Sequence, residues 1–287
     1  MTDRQSNIVG IPPAYAADFD EYDADETILR YRRATAGEGI NHLLKESYGP
    51  LLLEATRDVP RATNGEAVRI VEFGCGAGMA IQHLLELLRR EHVDVELAVG
   101  ADFVPAMIDA ANRELDEFGD EWMKQRLRFV VATNEDLAEQ IAAGLQESTD
   151  GLAGSFHLAL GVNTFRYPVR HGTARRAAAQ LELLLRPGGR VVVIDMNDRF
   201  PYGLKPKRNE NGGRFPYSFG TAELPTLDGY AAPFRDGDFD VLRKEHFSWI
   251  PHSARGIRFR LMRAAAPVLN RVVPDRAMRS LVIARRL

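Results

Sequence analysis

Five short β-rich runs alternate with amphipathic helical stripes between Val68 and Asp195, and this rhythm constrains the fold more than any other feature of the chain. Val68–Phe73, Val95–Ala101, Leu127–Val131, Phe156–Leu160 and Arg190–Asp195 each read as strands bounded by turn residues. Between the first two, Ile81, Leu84, Leu85 and Leu88 fall at i, i+3, i+4 and i+7, the stripe of a half-buried helix. Pro105 suits the first turn of a second helix carrying Met107, Ile108, Ala111 and Leu115. A third helix through Ala177, Leu181, Leu184 and Leu185 is expected to stop at Pro187-Gly188-Gly189. Strands alternating with helices imply βαβ units, hence a mostly parallel sheet covered on both faces. Two later runs, Phe239–Lys244 and Leu281–Ala284, bring the expected strand count to seven.

Three regions fall outside that rhythm. Residues before about Pro60 look helical around Asp25–Ala36 and Ile40–Glu54, which predicts an N-terminal helical lid over 1–60 ahead of a main domain over 61–287. Residues 197–230 are rich in Pro, Gly, Asn and aromatics, a long connection of the kind that forms a lid or substrate wall. Residues 251–275 form a basic helical insertion through Ile257, Leu261 and Leu269, expected to be broken by Pro267.

Charge and composition exclude several classes. The 37 Lys and Arg residues nearly balance 40 Asp and Glu, a net charge of −3, which argues against a dedicated nucleic-acid binder. The single cysteine, Cys75, allows no internal disulfide and no Cys-rich zinc site, and no metal is expected. No apolar run approaches the ~20 residues that span a bilayer, and the first residues are too polar for a signal peptide, so stable membrane insertion is not expected and a cytoplasmic location is. The charge is unevenly spread: Asp18–Glu26 holds six acids and no base, whereas from Pro251 onward nine arginines face one acid, Asp275. The first could attract a cationic amine and the second dock an anionic lipid surface or an acidic partner. Both read most simply as solvated faces, the first favoured by a helix dipole and the second packing its apolar side on the sheet or pairing with the acidic N-terminal region.

The chemistry concentrates at two strand ends. Glu72-Phe73-Gly74-Cys75-Gly76-Ala77-Gly78 closes the first strand and opens the first helix, where glycines let the backbone turn sharply and a ligand approach without a Cβ in the way. Asp102 ends the second strand, where a carboxylate can accept from ribose hydroxyls or cap the following helix. Both features at adjacent strand ends favour a nucleoside-containing ligand, and dinucleotide-binding proteins use the same device.

Taken together these residues resemble the class I S-adenosylmethionine-dependent methyltransferases, over about Val68 to Asp195 and more weakly beyond Leu227. Glu72-x-Gly74-x-Gly76-x-Gly78 is similar to the family's first motif, Asp102 to its ribose-binding acid, and Asn134-Glu135-Asp136-Leu137 lies where the family lines the adenine. Leu184-Leu185-Arg186-Pro187-Gly188-Gly189 before a Val-rich strand is similar to the post-core signature, which nicotinamide dehydrogenases do not require. The resemblance implies a doubly wound, Rossmann-like α/β methyltransferase fold and the cofactor S-adenosylmethionine, with S-adenosylhomocysteine as product. It implies that Gly74, Gly76 and Gly78 lie against the cofactor, that Glu72 receives its ammonium, that Asp102 holds the ribose and Phe103 packs on the adenine. Asn134 would offer its N–H to the adenine edge, with Glu135 beside it, and Gly161 would border the methionine part. The chain departs from the family at Thr133, where an aspartate often accepts from the adenine amino group; Glu135 and Asp136 are the substitutes at hand.

The family has no universal catalytic residue, so candidates come from strand ends and lids. Asn163, Phe165 and Tyr167 follow the fourth strand, where such enzymes place acceptor contacts. The Asn/Asp-Pro-Pro-aromatic motif of the exocyclic-amine DNA enzymes is absent there, which counts against nucleic-acid bases. Tyr15 and Tyr22 are candidates for closing over the acceptor, and His171, His246 and His252 for a base, though packing or surface roles explain each of them too. The expected function is methyl transfer to an N or O atom of a small-molecule metabolite. C-methylation of a quinone or prenyl-like acceptor, a nicotinamide-dependent oxidoreductase and a non-catalytic cofactor-binding protein stand as alternatives, and a homo-oligomer is open.

Overall fold

A computed structural model describes residues 42–57, 67–200, 224–251 and 254–287. Tyr15, Tyr22, the acidic run Asp18–Glu26, His252 and most of the 197–230 connection lie outside the described residues.

The strands are β1 (Val68–Phe73), β2 (Val95–Asp102), β3 (Leu127–Val131), β4 (Phe156–Val162), β5 (Leu185–Met196), β6 (Phe239–Phe247) and β7 (Arg279–Arg286). They form one seven-stranded sheet in the order β3-β2-β1-β4-β5-β7-β6. β1 pairs in parallel with both β2 and β4, and the chain order reverses at that junction. β7 runs antiparallel to both its neighbours, β5 and β6. A doubly wound sheet opens a crevice where its order reverses, at the carboxyl ends of the strands.

The two-residue period of the strands divides the core. Ile70, Ala98, Leu158, Leu160, Val192, Ile194, Leu281 and Ile283 bury one face. A π-helical turn Leu43–Tyr48 running into α1 (Gly49–Arg57), with α2 (Met79–Arg90), α3 (Pro105–Phe118) and the short α4 (Glu121–Arg126), accounts for the helical side of that layer. Val71, Phe73, Val99, Ala159, Val191, Val193 and Val282 bury the other face, against α5 (Leu137–Leu145), α6 (Thr149–Leu152), α8 (Ala174–Leu184) and α9 (Leu227–Arg235), with α7 (Arg166–Arg170) between β4 and α8. The predicted stripe of α2 holds, since Ile81, Leu84, Leu85 and Leu88 are fully buried, and Pro105 occupies the first turn of α3.

Two boundaries differ from expectation. The helix expected to include Leu185 ends at Leu184, and Leu185 is already extended and paired with Phe156. Pro187 forces the preceding residue out of the helical region, so Arg186–Gly189 becomes an irregularity inside β5 rather than a stop between elements. Pro267 does not break the basic helix: α10 runs from Gly256 to Val272. Ala264-Ala265-Ala266 immediately before it supply the strongest helix former three times over, offsetting the one lost N–H bond.

Candidate functional site

β1 delivers the glycine turn to the crevice. Gly74 and Gly76 both sit at positive φ, +64° and +54°. A Cβ on Gly74 would lie 2.0 Å from Thr164 Oγ1, so side chain and backbone interlock there. A Cβ on Gly76 would meet nothing within 4 Å, which leaves open space against the backbone. Gly78 caps α2 and packs against the Phe129 ring.

Asp102 ties this turn to the end of β2. Its Oδ2 accepts from the Gly76 N–H at 2.8 Å and its Oδ1 from the Val104 N–H at 3.0 Å. Burial pushes its pKa up from 3.8 to about 6, against the pull of those backbone donors. Glu72, also buried, accepts from the Ile81 N–H at 2.9 Å, one of the orphan donors in the first turn of α2. Desolvation raises its carboxyl well above the ordinary range, and the Asp102 charge adds to the rise. Burial likewise pushes the Cys75 thiol well up, so a nucleophilic thiolate is disfavoured.

A narrow cleft lies between these strand ends, lined by Gly74, Phe103, Ala132, Thr133, Asn134 and Thr164. It thus draws on the loops after β1, β2, β3 and β4. Phe103 supplies an aromatic face and Asn134 a part-exposed amide. Thr133 is buried and its Oγ1 has no hydrogen-bond partner, while its N–H donates to Gln140 Oε1 at 2.6 Å. A buried orphan hydroxyl is a costly feature that a ligand can satisfy. Thr164 and Ala132 carried no sequence signal: neither residue type announces binding, and only the strand ends bring them together.

A second network holds the loop after β4 in place. The buried Asp195, near the end of β5, accepts from the Arg166 N–H at 2.9 Å and from Arg166 Nη1 at 3.1 Å. Arg166 also donates to the Asn163 carbonyl and, through Nη2, to Tyr167 Oη at 2.8 Å. Asn163 itself adopts φ +59°, and its Oδ1 accepts from Arg279 Nη1 at 2.5 Å. Arg279 Nε is buried at this edge without a hydrogen-bond partner, and the buried Tyr48 hydroxyl lies against the same guanidinium. Burial raises the Tyr48 hydroxyl pKa, opposed by the Arg279 guanidinium.

The structure therefore brings together Gly74, Gly76, Asp102, Phe103 and Asn134, with Glu72 just behind them. Other candidates lie elsewhere. Phe165 is a core residue with no exposed surface, stacked on Phe234 at 5.1 Å and edge-on to Phe73 at 6.0 Å, so it is not poised to touch an acceptor. Tyr167 is buried against the Arg166 guanidinium. Glu135 is buried and accepts from Thr173 Oγ1 at 2.5 Å, ahead of α8, rather than lining the cleft. Gly161 is inside β4, where a Cβ would strike the Phe73 ring at 2.2 Å. His171 caps the end of α7. His246 lies on the edge strand β6 beside Ser280 Oγ, four strands from β1 in the sheet order and so roughly 19 Å away. Desolvation lowers its pKa.

No protein-family model matches the chain, and no curated protein matches it in sequence. Solved structures match it in fold. An S-adenosylmethionine-dependent methyltransferase from Mesorhizobium loti aligns over 83% of this chain and 96% of its own, with a TM-score of 0.52 at 19% identity. The fold is that of the S-adenosylmethionine-dependent methyltransferases. The [4+2]-cyclase SpnF is similar over 96% of this chain and 97% of its own, with a TM-score of 0.56 at 16% identity. The CMeT domain of the citrinin polyketide synthase is similar at TM-score 0.50 and 17% identity, over 96% of this chain and 57% of that one. A methyltransferase fold with a cyclase among its members does not by itself fix a reaction, so function must be argued from the site.

Proposed function

We propose that the chain is an S-adenosylmethionine-dependent methyltransferase that methylates an N or O atom of a small-molecule metabolite in the cytoplasm. The observation that carries this reading is the cleft at the reversal of strand order, where a glycine turn, a strand-end carboxylate and an aromatic side chain converge. The residues present fit the cofactor: the open space at Gly76 suits close backbone approach, Phe103 offers a stacking face, and Thr133 offers an unsatisfied hydroxyl. Asp102 would hold the ribose hydroxyls, Phe103 and Asn134 the adenine, Gly74 and Gly76 the amino-acid end, and Gly78 and Glu72 would shape the turn beneath it. Glu135 and Gly161 would act behind the lining, through Thr173 and Phe73.

When bound, S-adenosylmethionine supplies an already activated methyl on a sulfonium. The protein is then left with alignment and exclusion of water. The Arg166–Asp195 pair would hold Asn163 and Thr164 at the mouth, and the part of the 1–60 lid ahead of the core-packed Leu43 would cap it, carrying Tyr15 and Tyr22 over the acceptor. Arg279, which donates to Asn163 through Nη1 and keeps a buried Nε without a partner, would offer a donor to a polar group of the acceptor.

Calorimetric titration with S-adenosylhomocysteine, run in parallel with NADH, tests the cofactor. Micromolar binding of the sulfur nucleoside alone is expected; binding of NADH alone would replace the reading with a nicotinamide oxidoreductase. Screening of amines, phenols and prenyl acceptors for methyl uptake then tests turnover, and binding without any uptake would leave a cofactor-binding protein. One observation favours a second reading, C-methylation of a quinone or prenyl-like acceptor: α10, the helix that follows the edge strand β6, carries exposed apolar side chains.

A further inference from the structure

α10 is the one long helix in the described residues that has no buried side chain. Its inward face is only half-covered: Phe259 sits edge-on to His42 at 5.6 Å, Arg263 pairs with Glu46 at 3.0 Å, and Met262, Ala266 and Leu269 are part-buried. The opposite face is uncovered among the described residues. Ile257 is 78% exposed, Leu261 66%, Val268 62% and Val272 68%, four of the nine exposed large apolar side chains among the described residues. With the exposed Ala264 they recur at i, i+4, i+7, i+11 and i+15, within about 80° of arc at 100° per residue. The stripe is therefore continuous and about 22 Å long at 1.5 Å per residue. This corrects the expectation that the apolar side of the segment packs on the sheet.

The charges frame the stripe. Arg260 and Arg271 flank one side and Arg258 the other, and all three are exposed. Between Arg255 and Val273 there are five arginines and no acid. Long arginine stems can lie along an apolar boundary while their guanidinium groups reach a polar layer. An apolar stripe edged by arginines on a helix that cannot span a bilayer is the pattern of an interfacial helix. A second copy of the chain is a poor occupant, because pairing this face with itself would set arginine against arginine.

We propose that α10 docks the protein reversibly on an anionic phospholipid bilayer, with Ile257, Leu261, Val268 and Val272 entering the headgroup–acyl boundary and Arg258, Arg260 and Arg271 contacting lipid phosphates. The test is co-sedimentation of the full chain with vesicles of equimolar phosphatidylglycerol and phosphatidylcholine, and with vesicles of phosphatidylcholine alone. The protein is expected to pellet with the anionic vesicles at about 0.05 M salt and to be substantially released at about 0.5 M, where the screening length falls to a few ångströms. The variant I257Q/L261Q/V268Q should partition at least about tenfold less, because the apolar contribution is removed while the charge is kept. The variant R258Q/R260Q/R271Q should lose the preference for anionic over neutral vesicles. All six side chains are exposed, so the thermal midpoint of each variant should match that of the parent. Failure to pellet with anionic vesicles, or pelleting that neither triple variant changes, overturns the proposal. A dimer in sedimentation velocity that I257Q/L261Q/V268Q dissolves would overturn it too, by assigning the stripe to a second copy.

Discussion

Asp102 is the residue whose chemistry is most exposed to test. Its pKa is raised to about 6 by burial, so between pH 3.8 and about 6 the folded protein holds a proton that the unfolded chain has released. The stability this contributes, about 3 kcal/mol, is fully present below pH 3.8 and is lost as pH rises through 6. Ligand binding runs the other way, because an ionised carboxylate accepts from ribose hydroxyls and a protonated one does so poorly. S-adenosylhomocysteine should bind about tenfold more weakly at pH 5 than at pH 7, and Asp102→Asn should flatten that dependence; calorimetry across the range decides it. The two turn glycines separate packing from binding. Gly76→Ala has room but a strained φ, so it should cost about 1–2 kcal/mol in chemical denaturation yet abolish nucleoside binding. Gly74→Ala drives a methyl into Thr164 and should cost about 3 kcal/mol or more. At this scale the sequence was legible where residue type is tied to backbone need, as with Gly74, Gly76 and Asp102. It was not legible at Phe165, because a phenylalanine after a strand gives no sign of which side of the turn it faces.

The elements meet through pairs distant in sequence, and these were invisible to pattern reading. Arg166 starts α7 and Asp195 lies near the end of β5, 29 residues on, and both are buried. Nothing in the periodicity of either segment announces the pair. Breaking it by Arg166→Met leaves a buried carboxylate without its partner and should cost about 3–5 kcal/mol in denaturant unfolding. The doubly hydrophobic variant, with Asp195→Leu added, should recover a large part of that loss, which distinguishes an uncompensated charge from simple loss of packing. The strands themselves were readable: β1 and β3 have the expected bounds, and β2, β4, β6 and β7 extend them by a few residues. Periodicity reports which residues are buried, and that is what a strand in a two-faced sheet requires. The short helices α4, α6 and α7 and the longer α5 and α9 were not read, because the first three have too few turns to show a stripe, and α5 and α9 follow loops that the sequence offers no reason to end there.

Across the whole molecule, the sheet order explains where variation can be accommodated. β7 lies antiparallel between β5 and β6, so β6 ends and β7 begins at the same carboxyl edge that carries the cleft. The excursion between them, α10 included, leaves and returns through one neck, where the Met278 N–H donates to the Ser248 carbonyl at 2.7 Å. Phe247 pairs with Arg279 directly beneath that bond. Ile250, Ala254 and Ala277 are buried beside the neck and Asn197 donates to the Ala277 carbonyl, so the exchangeable part is α10 itself: a different loop could be spliced between Arg255 and Val273 without shifting the register of any strand. A lineage carrying this sheet could thus exchange what the protein sits on while keeping intact what it binds.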